Sequence, residues 1–159
     1  MSFRTAFVSL SIMKTFNVLF LCTGNSARSI IAEALVTMIS QGKLIGYSAG
    51  SHPKAIVHPI AEELAIEMGY PKEKLRSKSW NEFSHPEAPK MDFIITVCDN
   101  AKGETCPIWP GHPATIHWGL PDPALAKGSY EEQKKVFYDV RDQLKEKIQT
   151  LINFTQYTN

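Results

Sequence analysis

Val18-Leu19-Phe20-Leu21-Cys22-Thr23-Gly24-Asn25-Ser26-Ala27-Arg28-Ser29-Ile30-Ile31-Ala32-Glu33-Ala34-Leu35 reads as a strand, a turn and a helix in direct succession. The apolar run Val18 to Leu21 has the length and composition of a parallel-sheet strand buried on both faces. Small and polar residues with one glycine then carry the chain from Cys22 to Arg28. From Ser29 to Ile39 the sequence is dense in helix formers and apolar on nearly every side, as in a helix packed on a sheet. A cysteine at the strand end and an arginine at the helix start frame an anion site. Backbone N–H groups and the helix dipole attract negative charge there, and the guanidinium adds a forked, permanently charged clamp. Thr23, Gly24, Asn25, Ser26, Ala27, Arg28 and Ser29 are the residues expected to hold the anion.

The same surroundings act on sulfur. A thiol at a helix N-terminus beside an arginine is expected to titrate below its ordinary value of about 8.5, in the range of roughly 3.5 to 7.5. Cys22 is therefore read as a thiolate nucleophile aimed at whatever oxyanion the loop holds, with the Ser29 hydroxyl placed to donate to it. Asn25, in mid-loop, suits a left-handed backbone or a side-chain tether.

Working outward, Lys43 to Ala49 reads as a second strand and 57–68 as a helix by its apolar spacing, closed by Gly69 and Pro71. Ser77 to Phe83 reads as a turn of helix. Phe93 to Val97 is a third buried strand ending at Cys98, and a loop rich in Gly and Pro follows it. Thr115 to Trp118 is a fourth, short strand, after which Gly119-Leu120-Pro121-Asp122-Pro123 turns outward. Ser129 caps a final helix whose core stripe is expected to be Val136, Val140, Leu144, Ile148 and Ile152. Strands alternating with helices give an α/β fold: a four-stranded parallel sheet with helices on both faces. In such folds the site lies beyond the carboxyl ends of the strands. Cys22, Cys98 and Asp122 all fall there, distant in sequence and gathered on one edge.

At 159 residues the chain is one domain, long enough to bury about two-thirds of its unfolded surface. Residues 1–15 are expected to be an extension, because Met13-Lys14 sits directly before the first strand, and 16–153 to be the fold. A formal charge of +1 argues against nucleic-acid binding. No apolar run approaches the roughly 20 residues of a membrane span. Three cysteines without a secretory signal point to a reducing compartment, the cytoplasm, and to chemically active thiols. His52 and His58 are expected at the surface, and a monomer is expected.

Asp122 lies between Pro121 and Pro123, which hold its backbone extended. A rigid acid at the mouth of an anion site suits a proton donor to a leaving oxygen. If the segment from Cys98 to Cys106 were helical, its ends would stand about 12 Å apart, whereas a disulfide needs Cα atoms within about 7 Å. A bond between these two thus needs a bent segment, which Gly103 and Pro107 permit; two unrelated free thiols are the alternative. The spacing of Cys98, Cys106, His112 and His117 fits no common zinc pattern, so no metal is expected there.

Cys22 to Ser29 resembles the phosphate loop of the low-molecular-weight tyrosine phosphatase fold, and more narrowly of the arsenate reductases built on it. The resemblance continues through Tyr47-Ser48-Ala49-Gly50-Ser51, Val97-Cys98-Asp99-Asn100, Cys106-Pro107-Ile108-Trp109-Pro110-Gly111 and His117 to Pro123. It implies a phosphatase-like fold and an arsenate reductase working by a thiol relay. In that relay arsenate sits in the loop against Arg28, with phosphate or sulfate as analogues, and Cys22 attacks arsenic. Asp122 protonates the departing oxygen, and Cys98 resolves the adduct into a Cys22–Cys98 disulfide. Cys106 then carries the oxidation outward as Cys98–Cys106. No tightly bound cofactor is implied, only an external thiol reductant, either thioredoxin or glutaredoxin with glutathione. Some members also bind potassium beside the loop through an Asn, a Glu, a Ser and an Asp; Asn25, Glu33 and Ser48 match, and Asn81 stands where the acid would be. The alternative is a tyrosine phosphatase or small phosphomonoesterase using Cys22 and Asp122. The tyrosines that flank an aromatic substrate in such enzymes are replaced here by Ala124 and Leu125. A non-enzymatic anion carrier would need neither Asp122 nor a second thiol.

Overall fold

Phe-Asn-Val-Leu-Phe-Leu-Cys forms strand β1 (Phe16–Cys22), buried at all but Asn17 in the computed structural model, which describes residues 14–98 and 109–157. Strands β2 (Leu44–Gly50), β3 (Phe93–Thr96) and β4 (Ala114–His117) join it in the order β2-β1-β3-β4, and every neighbouring pair is parallel. The described α-helices are α1 (Arg28–Ile39), α2 (Pro59–Glu67) and α3 (Tyr130–Gln156), with 3₁₀ turns at Lys72–Lys74, Trp80–Phe83 and Pro123–Leu125. The α/β reading and its four parallel strands are therefore found as expected, with boundaries moved by a residue or two.

Alternation along β1 divides the interior in two. Val18, Phe20 and Cys22 face the α-helices and share a cluster with Ile30, Ile31, Leu35, Leu64, Phe137 and Leu144. Leu19 and Leu21 face the other way and pack with Ala49, Phe83, Met91, Ile94 and Trp109, so the Trp80–Phe83 turn covers that side. Both faces are apolar because both are covered. In α1 every residue from Ser29 to Val36 is buried, which explains why its sequence shows no polar stripe.

Helix α3 begins with a reciprocal cap: Ser129 accepts from the Glu132 N–H, and Glu132 accepts from the Ser129 N–H. Its buried stripe is Phe137, Val140, Leu144, Ile148, Leu151 and Ile152. Val136, expected in the core, is only half-buried, and Phe137 takes its place. A strict run of i+4 steps rotates about 40° per step around a helix of 3.6 residues per turn, so it leaves the buried face; a mixture of threes and fours stays on it. His58 also departs from its expected surface position. It caps α2 by accepting the Ile60 N–H at its Nδ1, 3.1 Å, and its ring lies 4.6 Å from that of Phe137.

Helix α1 lies directly on β2 where Gly46 leaves room. A Cβ at position 46 would fall 2.4 Å from the Glu33 carbonyl oxygen and 2.6 Å from Val36 Cγ1. Gly46→Ala must push the helix off the sheet and is expected to destabilise the fold by about 1–3 kcal/mol, the ordinary range for overpacking. Urea denaturation reads this as a lower midpoint at unchanged slope; an unmoved midpoint would mean that the contact yields freely.

Candidate active site

Cys22 closes β1 and is paired in register with Gly50, the last residue of β2. Cys98 lies just past the end of β3, and Asp122 follows β4 and opens the Pro123–Leu125 turn. The fold thus brings Cys22, Cys98 and Asp122 to one edge of the sheet. Cys106 lies outside the described residues.

The loop between β1 and α1 is held by its carbonyls. Thr23 O accepts from the His52 N–H at 2.9 Å, Gly24 O from the Lys54 N–H at 3.0 Å, and Ser26 O from the His58 N–H at 2.9 Å. Ser77 Oγ donates to Gly24 O as well, at 3.0 Å. A trans peptide points its C=O and N–H in opposite directions, so carbonyls anchored outward turn the following amides inward. The Asn25 N–H shows the result: it donates to Cys22 Sγ at 3.1 Å. Asn25 itself has φ 46°, the left-handed backbone expected of it. Gly50 has no room for a side chain, since a Cβ there would stand 2.5 Å from Thr23 O.

The Asn25 side chain supplies the tether and fixes the direction of every bond around it. Its Oδ1 accepts from the Lys78 N–H at 2.8 Å, so its Nδ2 must face the hydroxyls of Ser29 and Ser48, at 2.8 and 3.0 Å. Ser29 Oγ, which accepts from Asn25, lies 2.9 Å from Cys22 Sγ and has its own hydrogen to donate to the thiolate. Ser48 in turn donates to Glu33 Oε1 at 2.5 Å, and the Tyr70 hydroxyl donates to the other carboxylate oxygen.

Against expectation, Cys22 is not a low-pKa thiol in this arrangement. Burial pushes it up, and the nearby Cys98 adds to that; the Ser29 hydroxyl, the Asn25 N–H and the Arg28 guanidinium pull it down without prevailing. The arginine's weak influence has a geometric cause. Its Nη1 donates to Leu120 O at 2.9 Å and its Nη2 stands 3.6 Å from Asp122 Oδ2, so its charge is directed at the acid. The other Asp122 oxygen accepts the Ala124 N–H at 3.0 Å, which holds the carboxylate in place.

Cys22, Thr23, Gly24, Ser26, Ala27, Arg28 and Asp122 line a cavity of about 160 Å³, together with His52 and Lys54. That volume suits a tetrahedral oxyanion. Lys54 was not singled out by sequence; its stem lies over Gly24, 3.1 Å from where a Cβ would sit, and it brings a second cation to the rim. Cys98 is buried, with its Sγ 3.7 Å from Thr23 Oγ1, the residue next to the nucleophile.

The residues matching a potassium set do not fit one here. Both Glu33 oxygens already accept hydrogen bonds, and among the described residues no buried side-chain polar atom lacks a partner. A cation is in place beside them: Lys78 Nζ is 3.9 Å from Glu33 Oε1. Among the described residues no cluster of His, Cys, Asp and Glu is arranged to hold a metal.

A family model described as low molecular weight phosphotyrosine protein phosphatase matches residues 17–157. An arsenate reductase of Oceanobacillus iheyensis is 35% identical over 131 residues, covering 82% of this chain and 91% of that one. Among solved structures, an arsenate reductase in the phosphate binding state is similar with TM-score 0.68 and 28% identity, covering 87% of this chain and 98% of its own. A thioredoxin-dependent arsenate reductase of Corynebacterium glutamicum has TM-score 0.61 at 22% identity, covering 93% of this chain and 67% of that one, a likeness of fold alone.

The bond from Ser29 to sulfur favours the thiolate, so removing it must raise the proton affinity of Cys22 further. In a Cys98→Ser, Cys106→Ser background, Ser29→Ala is expected to slow iodoacetamide alkylation at neutral pH by roughly tenfold, the worth of one charge-assisted hydrogen bond. The rate should recover as pH rises. An alkylation profile that does not move would remove Ser29 from the thiolate's support.

Proposed function

The chain belongs to the low molecular weight phosphotyrosine protein phosphatase family, and from that premise we propose that it is an arsenate reductase whose own cysteines carry the electrons. The observation that supports this most is the gathering of a second buried thiol, Cys98, at the edge that holds Cys22. A phosphatase needs only the first.

Arsenate occupies the cavity, its oxygens on the inward amides of 23–28 and on Arg28. Cys22 attacks arsenic as the thiolate and an oxygen leaves as water, taking a proton from Asp122. Arsenic remains pentavalent in the Cys22 adduct. Cys98, as thiolate, then attacks Cys22 Sγ. The S–As bond breaks with its electron pair passing to arsenic, which leaves as arsenite, and the Cys22–Cys98 disulfide keeps the oxidation. Cys106 attacks Cys98 next, expelling the Cys22 thiolate and leaving Cys98–Cys106 for an external thiol reductant. Thioredoxin or glutaredoxin with glutathione would serve, and such a reductant fits a monomer working in the cytoplasm. The catalytic domain spans 16–153 with 1–15 as an extension. Among the described residues no helix is long and apolar enough to cross a membrane.

Asp122 and Arg28 face each other at 3.6 Å. Arsenate entering the loop draws the guanidinium toward its oxygens and puts the acid beside the one that leaves. A phosphomonoester placed in the same cavity meets the same nucleophile and acid, so slow phosphatase turnover is compatible with this site.

Cys98→Ser is expected to abolish multiple-turnover arsenate reduction while sparing any hydrolysis of p-nitrophenyl phosphate. In the wild type, arsenate without reductant should remove two free thiols per chain; a simple anion carrier would lose none. Arsenate-dependent NADPH consumption, with the thioredoxin and glutaredoxin systems supplied separately, identifies the reductant. Sustained turnover by Cys98→Ser would end the relay reading.

A further inference from the structure

Lys78 is the one described lysine buried to 7% exposure, and it stands beneath the catalytic loop. It is tied there at three points. Its N–H donates to Asn25 Oδ1 at 2.8 Å, its carbonyl accepts the Gly50 N–H at 2.9 Å, and its ammonium donates to Arg76 O at 2.8 Å. The ammonium lies 3.9 Å from Glu33 Oε1, and Glu33 is itself 4% exposed. Two opposite charges are thus withdrawn from water together, and neither is tolerable in that place alone.

Of the other cations nearby, Lys74 also favours the Glu33 carboxylate, though more weakly than Lys78. Arg76 is paired with Glu82, 2.9 Å apart at the surface. Tyr70 and Ser48 donate hydrogen bonds to Glu33 but carry no charge. The largest share of the positive charge set against this carboxylate, and against the burial that disfavours it, comes from Lys78. Glu33 accepts from Ser48, Ser48 accepts from the Asn25 amide, and that amide also donates to Ser29, which lies against Cys22 Sγ. One continuous set of hydrogen bonds therefore joins the ammonium's partner to the nucleophile.

We infer that Lys78 is a positioning residue that acts as a built-in monovalent cation for the catalytic loop, so that this enzyme works without a bound alkali ion. The reaction whose rate it supports is the one proposed above, and the inference rests on that reading. The electrostatic part does not, because it can be read from stability alone. A cavity of about 460 Å³ lined by Glu33, Tyr70, Arg76, Lys78 and Glu82 opens beside the pair. It would admit a small cation if the ammonium were removed.

The wild-type protein should show the same melting temperature and the same kcat and KM for arsenate in potassium chloride as in choline chloride at matched ionic strength. Lys78→Met should melt lower and lose kcat roughly tenfold or more, because the carboxylate is left uncompensated, with a smaller change in KM. Potassium or methylammonium should restore both stability and kcat in that variant, as expected of ligands that bind only the folded state. Lys78→Met combined with Glu33→Gln, which removes both charges, should fold and ignore added cations. A wild-type enzyme stabilised or activated by potassium over choline would overturn the inference. So would a Lys78→Met variant that keeps wild-type stability and kcat in choline. If Lys78→Met does not fold, the wild-type comparison still decides. If arsenate is not the substrate, the cation dependence of melting is measured unchanged, and the two failures are told apart.

Discussion

A single buried amide holds this molecule's chemistry together. Asn25 is fully buried, sits in the left-handed region, and uses both ends of its side chain. Its oxygen can only accept, so the Lys78 N–H decides which way the group faces, and every hydroxyl beyond it must follow. No other side chain matches this. Aspartate would offer no donor to Ser29 and Ser48, and the extra methylene of glutamine would carry its amide past these partners. A left-handed backbone is also more readily adopted by asparagine than by most residues. The loop's outward carbonyls set its shape, and Asn25 sets the direction in which its protons point.

The tether works because the sheet delivers its partners to the right place. β1 and β2 end together at Cys22 and Gly50, so Ser48 comes up beneath the loop. Gly50 lets the loop's backbone lie against the strand. β3 runs alongside β1 and carries Cys98 to the same edge, within reach of Thr23. Parallel strands put all their carboxyl ends on one side, and chemistry from distant parts of the sequence collects there without any long-range contact being chosen for it. Reactivity also comes with a cost. A loop closed enough to shield an adduct from water also shields the thiol, and burial pushes Cys22 up.

Much of this could be read from the residues in order. The strand-turn-helix at 18–35, the left-handed Asn25, the approach of Ser29 to sulfur, and the shared edge of Cys22, Cys98 and Asp122 all follow from local chemistry and one rule of topology. What escaped depends on distance in three dimensions. Lys78 looks like any surface lysine in Arg76-Ser77-Lys78-Ser79, and nothing local says that its ammonium turns inward to Glu33. Lys54 reaches the cavity because its backbone is pinned to Gly24, a pairing between loops that no periodicity reveals. The direction of the Cys22 shift escapes the sequence chiefly because burial of the thiol outweighs every group that favours the thiolate, and burial is a property of the fold. Sequence shows an arginine six residues from the thiol; only the fold shows that arginine turned toward Leu120 and Asp122.

That orientation of Arg28 explains how one cradle serves two kinds of chemistry. A guanidinium aimed at its own acid leaves the pocket less positive than the sequence suggests. An oxyanion in the proposed site competes with Asp122 and the Leu120 carbonyl for the guanidinium. On the proposed mechanism, winning gives it the clamp, moves positive charge toward Cys22, and frees the Asp122 carboxyl group beside the leaving oxygen. Nothing in that exchange distinguishes arsenate from phosphate. The distinction comes afterwards, in what can attack the adduct. A phosphorus adduct offers water an electrophilic phosphorus, whereas an arsenic adduct also offers a thiol a sulfur whose bond to arsenic can release its electron pair to the metalloid. In the proposed relay, Cys98 beside Thr23 turns the second property into a reaction, and the neighbouring thiol, not a different anion site, separates reductase from phosphatase.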